Sequence, residues 1–126
     1  MLKETRTYTD FNGKERTEDF YFNLSKAELA EKHLSSKKGL SELLQDIIDS
    51  DDHELIVKTF KEILLKAYGE KSEDGRRFIK SEELSKAFSE TPVYSDMFME
   101  LATDSDKASK FVHGILPPDW SKQADK

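Results

Sequence analysis

The dipeptide Asn12-Gly13 constrains this chain more than any other feature of its sequence. Both central residues of a type I′ turn need positive φ, and Asn-Gly supplies them at low steric cost. The flanks suit strands: Thr5, Thr7, Tyr8 and Thr9 precede the turn, and Phe20, Tyr21 and Phe22 follow it. Residues 2–24 are therefore expected to form a β-hairpin. A two-residue turn sets Arg6 opposite Asp19 and Thr5 opposite Phe20. Phe20, Phe22 and Leu24 then alternate onto one face, which needs a cover.

The rest of the chain offers helices as that cover. Ser25 and Glu28 form a capping-box pattern, so a helix is expected to start at Lys26. Gly39 breaks the chain. Leu40, Leu43, Leu44, Ile47 and Ile48 then recur at helical spacing. Asp51 and Glu54 repeat the cap logic for a longer helix, about Asp52 to Tyr68. Its core face is Ile56, Phe60, Ile63, Leu64 and Ala67, with Leu55 and Leu65 off that stripe. Residues 69–77 read as a polar loop closed by glycines, after which Phe78-Ile79 tucks into the core. Ser81 opens a helix to about Ser89. Thr91-Pro92, an N-cap followed by an N1 proline, opens another to about Thr103. Thr103 or Asp104 caps a last one with Ala108, Phe111, Val112, Ile115 and Leu116 on one face, stopped by Pro117-Pro118. The expected fold is α+β, mainly α. It is a single domain over residues 1–116, with the hairpin at 1–24, a bundle of five or six helices at 25–116, and a polar tail at 117–126. The sheet should hold no more than three strands.

Several function classes are disfavoured. The 126 residues include no cysteine, so neither disulfides nor thiolate zinc sites contribute. Hydrophobic residues make up 36% and charged residues 37%, lean for a globular chain, but the apolar residues cluster periodically. No apolar run approaches the roughly 20 residues that span a bilayer. The first residues lack the apolar stretch of a signal peptide, so a cytoplasmic location is expected. Formal net charge is -6, and the lysines are interleaved with Glu and Asp as on solvated helix faces. Nucleic acid is therefore not an expected partner, because phosphate binding needs a basic footprint.

No arrangement of residues carries recognisable chemistry. His33, His53 and His113 are far apart and lack metal-ligand spacing. They read as surface or cap-adjacent residues. No serine lies in a Gly-x-Ser-x-Gly elbow. Asp49-Ser50-Asp51-Asp52 and Asp104-Ser105-Asp106 mimic calcium loops. However, the sixth and twelfth positions hold Glu54 and Phe60 in the first, and Ser109 and Ile115 in the second, where glycine and glutamate are required. Both clusters fit helix N-termini, where the dipole favours negative charge. Gly69 to Gly75 lacks the Lys-Ser/Thr pair of a phosphate loop, and Glu70, Glu73 and Asp74 would repel phosphate. Arg76-Arg77 is expected to pair with those carboxylates. No catalytic residue, cofactor or metal is expected.

Two apolar residues stand outside the periodic pattern. On the helix from Pro92, Tyr94, Met97, Phe98 and Leu101 should face the core, and Met99 lies well round from them. Met99 either fills a gap between elements or presents an adaptable surface. Trp120 follows the Pro-Pro stop in a polar tail. It either folds back on the body or serves as a docking anchor.

Three stretches carry a resemblance: TYTDFNGKERTEDFYFNLSKAEL at 7–29, FKEILLKAYGEKSEDGRRFIKSEEL at 60–84 and YSDMFMELATDSDKASKFVHGILP at 94–117. Together they resemble the tail assembly chaperones of long-tailed, siphovirus-type phages of Gram-positive bacteria. The resemblance implies a non-enzymatic assembly factor that binds the tape measure protein before the tail tube polymerises around it. It also implies that the factor is absent from the finished virion and acts in the host cytoplasm. Related genes often yield a longer, frameshifted product, whose extension recruits subunits of the major tail tube protein. That extension would begin at the C-terminal end, so Met99, Phe111, Leu116 and Trp120 are the expected partner-binding residues. The alternative is a small structural phage protein, such as a head–tail connector or tail terminator, which would form a defined ring.

Overall fold

A computed structural model describes residues 1–31 and 46–116 of the chain. The Gly39 break, the leucines of the 40–48 stripe, His33, the Pro117-Pro118 stop and Trp120 lie outside the described residues. The architecture is α+β, mainly α, with an N-terminal antiparallel hairpin followed by helices. Its strands are β1 (Leu2–Thr9), β2 (Glu15–Phe22), β3 (Tyr68–Lys71) and β4 (Phe78–Ile79). Its helices are α1 (Lys26–Glu31), α2 (His53–Ala67), α3 (Glu82–Ser89), α4 (Pro92–Thr103) and α5 (Ser105–Ile115), and residues 46–49 are also helical.

The hairpin register differs from the expected one by a residue. Thr5 pairs with Asp19 and Arg6 with Glu18. The cause is the turn, which is a three-residue loop rather than a two-residue one. The Gly13 N–H donates to the Asp10 carbonyl at 2.9 Å, and the Asp10 N–H donates to the Lys14 carbonyl at 2.8 Å. Only Gly13 takes positive φ, at 82°, as the left-handed residue that follows a type I turn. The Asp10 carboxylate fixes this geometry by accepting from the backbone N–H groups of Asn12 and Lys14, each at 2.9 Å. A one-residue slip exchanges the two faces of a strand. Leu2, Glu4, Arg6 and Tyr8 therefore share the half-buried face with Phe20 and Phe22, and Thr5, Thr7 and Thr9 are exposed. Residues 11–19 are exposed on both faces, so the distal hairpin projects as an arm.

The sheet has four strands in the order β1-β2-β3-β4, which exceeds the limit of three set by the expected hairpin. Part of what reads as a polar loop at 69–77 is a second, short hairpin. The Ser72 N–H donates to the Arg77 carbonyl at 2.9 Å, and Gly75 turns the chain at φ 76°. Phe78 and Ile79 are half-buried in β4 at the sheet edge rather than part of the core. Asp74 accepts from the Arg76 backbone N–H at 3.0 Å. Among the described residues, neither the Arg76 nor the Arg77 guanidinium closes the expected ion pair.

Helix starts follow the caps. Glu28 N–H and Ser25 Oγ meet at 3.1 Å, while Ser25 N–H and Glu28 Oε1 meet at 3.0 Å, which completes the capping box. Ser81, Thr91 and Asp104 each accept from a backbone N–H in the first turn of α3, α4 and α5. α2 starts one residue later than expected. Asp52 is its cap, accepting from Leu55 N–H at 3.2 Å, and Asp51 makes the preceding turn at φ 58°.

Phe22 is fully buried at the centre of the core. Its ring meets Phe111 of α5 at 5.3 Å and Phe88 of α3 at 5.7 Å between centroids. Phe88 in turn stacks on Tyr68 at 4.2 Å. Phe60 and Leu64 of α2, Met97 and Leu101 of α4, and Ile115 of α5 complete the cover over the hairpin face. Each such side chain contributes roughly 1.5–3 kcal/mol on burial. The backbone joins the layers as well, since Asn23 N–H donates to the Ala67 carbonyl and Leu24 N–H to the Ile115 carbonyl.

Candidate functional site

The helical layer leaves an open groove of about 910 Å³ where α2, α3 and α4 meet. Tyr94 and Phe98, one turn apart on α4, stack at 6.1 Å between centroids and line it together with Leu65 of α2. All three are half-buried. The Ser85 hydroxyl donates to the Leu65 carbonyl at 3.0 Å and holds α3 against the C-terminal end of α2. Around this apolar strip stand Lys61, Lys66 and Lys86, all exposed. Among the described residues, none of the three closes an ion pair.

A fourth lysine is held differently. Lys80 Nζ donates to Glu28 at 2.5 Å and to the Asn23 carbonyl at 2.7 Å, joining the residue after β4 to α1. Burial pushes the Lys80 pKa down, Glu28 pulls it up, and nearby Lys66 adds to the fall. For Glu28, burial would raise the pKa, but the Lys80 bond and the Ser25 backbone N–H hold it below its ordinary value. An ion pair should move its partners in opposite directions. Only the Glu28 shift therefore reports the pairing, and the Lys80 shift reports desolvation.

A second cleft, of about 460 Å³, lies where β1 meets α4 and α5. Arg6 crosses it to Glu100 at 2.5 Å and also reaches Glu4 at 3.0 Å, and Lys107 approaches Glu100 at 3.4 Å. Its central charges are thus satisfied internally. It acts as a latch between hairpin and helices rather than as an open site.

The expected partner-binding residues do not converge on one surface. Met99 is 53% exposed on α4, whereas Phe111 and Leu116 are 3% and 2% exposed and belong to the core. Trp120 lies outside the described residues. Asp52 and Asp104 cap helices, as their clusters suggested. Among the described residues, no group of three His, Asp or Glu is placed to hold a metal, and no helix is long and apolar enough to cross a membrane.

A family model described as phage tail assembly chaperone matches residues 1–126, the whole chain. The chain belongs to the phage tail assembly chaperones. No curated protein and no solved structure matches it. In this chaperone, two surface features escaped sequence reasoning. One is Phe11, 83% exposed at the hairpin tip and concealed within the Asn-Gly turn signal. The other is the lysine-rimmed groove. Its lysines read as dispersed because they come from two helices, and the spacing of Tyr94 and Phe98 points both to the core, whereas each is half-buried. The available signal was Leu65, which stands off the α2 stripe one turn after Lys61.

Proposed function

We propose that this chaperone binds the tape measure protein before the tail tube polymerises around it, and helps recruit tail tube subunits. It would do so without catalysing a reaction, in the host cytoplasm and apart from the finished virion. The phage it serves would be a long-tailed phage of a Gram-positive host. The observation that carries this reading is the family match across all 126 residues. The open groove supports it, because a groove between helices can accept an amphipathic helical segment. The net charge of -6 would keep such a complex soluble. Met99, exposed on α4, and Trp120 in the tail are proposed as further contacts. Phe111 and Leu116 would act through the α5 packing beneath them.

The test is co-expression with the tape measure protein encoded by the same phage, followed by affinity purification of the chaperone. Stoichiometric recovery of soluble tape measure protein is expected. Recovery of the chaperone alone, as a closed ring with a large apolar interface, would favour a connector or terminator instead. Trp120→Ala is expected to weaken capture by about 2 kcal/mol, roughly thirty-fold, with an unchanged melting curve.

A further inference from the structure

We infer that the groove between α2, α3 and α4 seats an acidic, amphipathic helical segment of the assembly partner. The apolar stripe of that segment lies on Leu65, Tyr94 and Phe98, and its carboxylates face Lys61, Lys66 and Lys86. The inference rests on the chaperone reading above and specifies where and how the contact is made.

Charge singles out this groove. The chain has 26 acidic and 20 basic Lys and Arg residues, yet three exposed lysines surround one apolar strip without an ion pair among the described residues. Glu82 also lines the groove, one helical turn before Lys86, and Glu62 stands one turn before Lys66. Among the described residues neither closes a pair with its lysine, and the remaining acidic liner, Glu28, is held by Lys80. Such i, i+4 pairs on an exposed helix face are weak, so they offer little competition to a partner's carboxylates. The second cleft shows the contrast, since its central groups Glu4, Arg6, Glu100 and Lys107 already neutralise one another, which leaves Lys110 at its rim.

Shape and composition agree. The apolar strip consists of Leu65, Tyr94 and Phe98, each packed against the core, which suits the stripe of a single helix with anchors at i, i+3, i+4 and i+7. The chain's own tail is a poorer occupant, because residues 117–126 carry Asp119 and Asp125 against Lys122 and Lys126 and have no net charge. Nucleic acid is disfavoured by the surrounding negative charge of the molecule.

Overlapping synthetic peptides spanning the tape measure protein, titrated against the full chaperone and followed by fluorescence anisotropy, test this directly. The peptides that bind should be acidic and amphipathic, and their affinity should fall with added salt. The variant carrying Lys61→Glu, Lys66→Glu and Lys86→Glu should bind them at least about tenfold more weakly. Peptides whose acidic positions are changed to lysine should recover binding to that variant. The corresponding Gln variant removes the charge without adding repulsion. It should show a smaller loss, and it keeps the test valid if the Glu variant melts early.

Unchanged peptide binding by both variants overturns the inference. So does a preference for basic peptides, or displacement of bound peptide by a random-sequence oligonucleotide. A wild-type dimer that dissociates on charge reversal would put a second copy in the groove and also overturn it. If full-length tape measure protein still co-purifies with both variants, the groove assignment fails and the chaperone reading stands. If it fails to co-purify with the wild-type chain, that reading fails and the inference falls with it.

Discussion

Arg6 of β1 and Glu100 of α4 meet across the boundary between sheet and helices, 2.5 Å apart. Both side chains are largely covered, at 25% and 32% exposure, so the pair is screened less than a surface bridge. Arg6→Ala leaves Glu100 with only the longer Lys107 contact. A loss of about 1–2 kcal/mol is expected, read as a fall in Tm of roughly 3–6 °C. A double-mutant cycle with Glu100→Gln should give a coupling of about 0.5–1.5 kcal/mol. Additivity of the two changes would mean that the latch contributes nothing.

Acid should loosen the same boundary. Burial would raise the Glu100 pKa, but Arg6 and then Lys107 hold it below its ordinary value. Glu28 is likewise lowered, by Lys80 and Ser25 against burial. A carboxylate whose folded pKa is depressed stabilises the fold above its unfolded pKa, about 4.3 for glutamate. That contribution is lost as pH falls through the lower, folded value. Tm should therefore hold from neutral pH to about 5 and then decline below about 4.3. The double variant Glu28→Gln, Glu100→Gln should start lower and decline less steeply. A parallel decline in variant and wild type would assign the acid sensitivity to other carboxylates.

The second hairpin depends on a glycine for space rather than for φ. A Cβ on Gly69 would lie 2.7 Å from the Ile79 carbonyl oxygen and 2.7 Å from Phe78 Cε2. Gly69→Ala should cost about 1–3 kcal/mol through this overpacking. Adding Phe78→Ala relieves the ring contact but not the backbone one, so recovery should be partial. Full recovery would show that β4 shifts freely and that the backbone contact is soft.

These elements also show why some of the fold was legible in the sequence and some was not. Caps are local, and Ser25, Ser81, Thr91 and Pro92 act where their spacing places them. The core face of α5 is equally local, a stripe of Ala108, Phe111, Val112 and Ile115. Hairpin register is not decided by the dipeptide alone. Asn12-Gly13 is compatible with two loop lengths, and the Asp10 carboxylate, two residues upstream, selects the longer one. β3 and β4 are not legible in the sequence, because Tyr68–Lys71 lacks alternation and Phe78–Ile79 is too short to show any. Pairing with β2 through Tyr21 and Phe22 makes a strand of what reads as loop. The groove is less legible still, since it is a relation among three helices that no single stretch of sequence contains.

Two phenylalanines within the hairpin should behave in opposite ways. Phe22 is fully buried and its ring contacts Tyr68, Phe88 and Phe111, so one side chain joins sheet, α3 and α5. Phe22→Ala should cost about 3–5 kcal/mol, since it removes the ring and leaves a cavity that several rigid elements border. That is a large share of a stability of about 5–15 kcal/mol, so the variant should melt far below the wild type or be unfolded at physiological temperature. Phe22→Leu keeps much of the volume and should retain a cooperative transition at reduced Tm. Phe11 is 83% exposed at the tip of the projecting arm, on the loop that Asp10 and Gly13 close. Phe11→Ala should change stability by no more than about 0.5 kcal/mol. Thermal melts of the three variants, monitored by far-UV circular dichroism, check both halves of the prediction. A marked loss of stability for Phe11→Ala would mean that the arm tip packs against the body, contrary to its exposure.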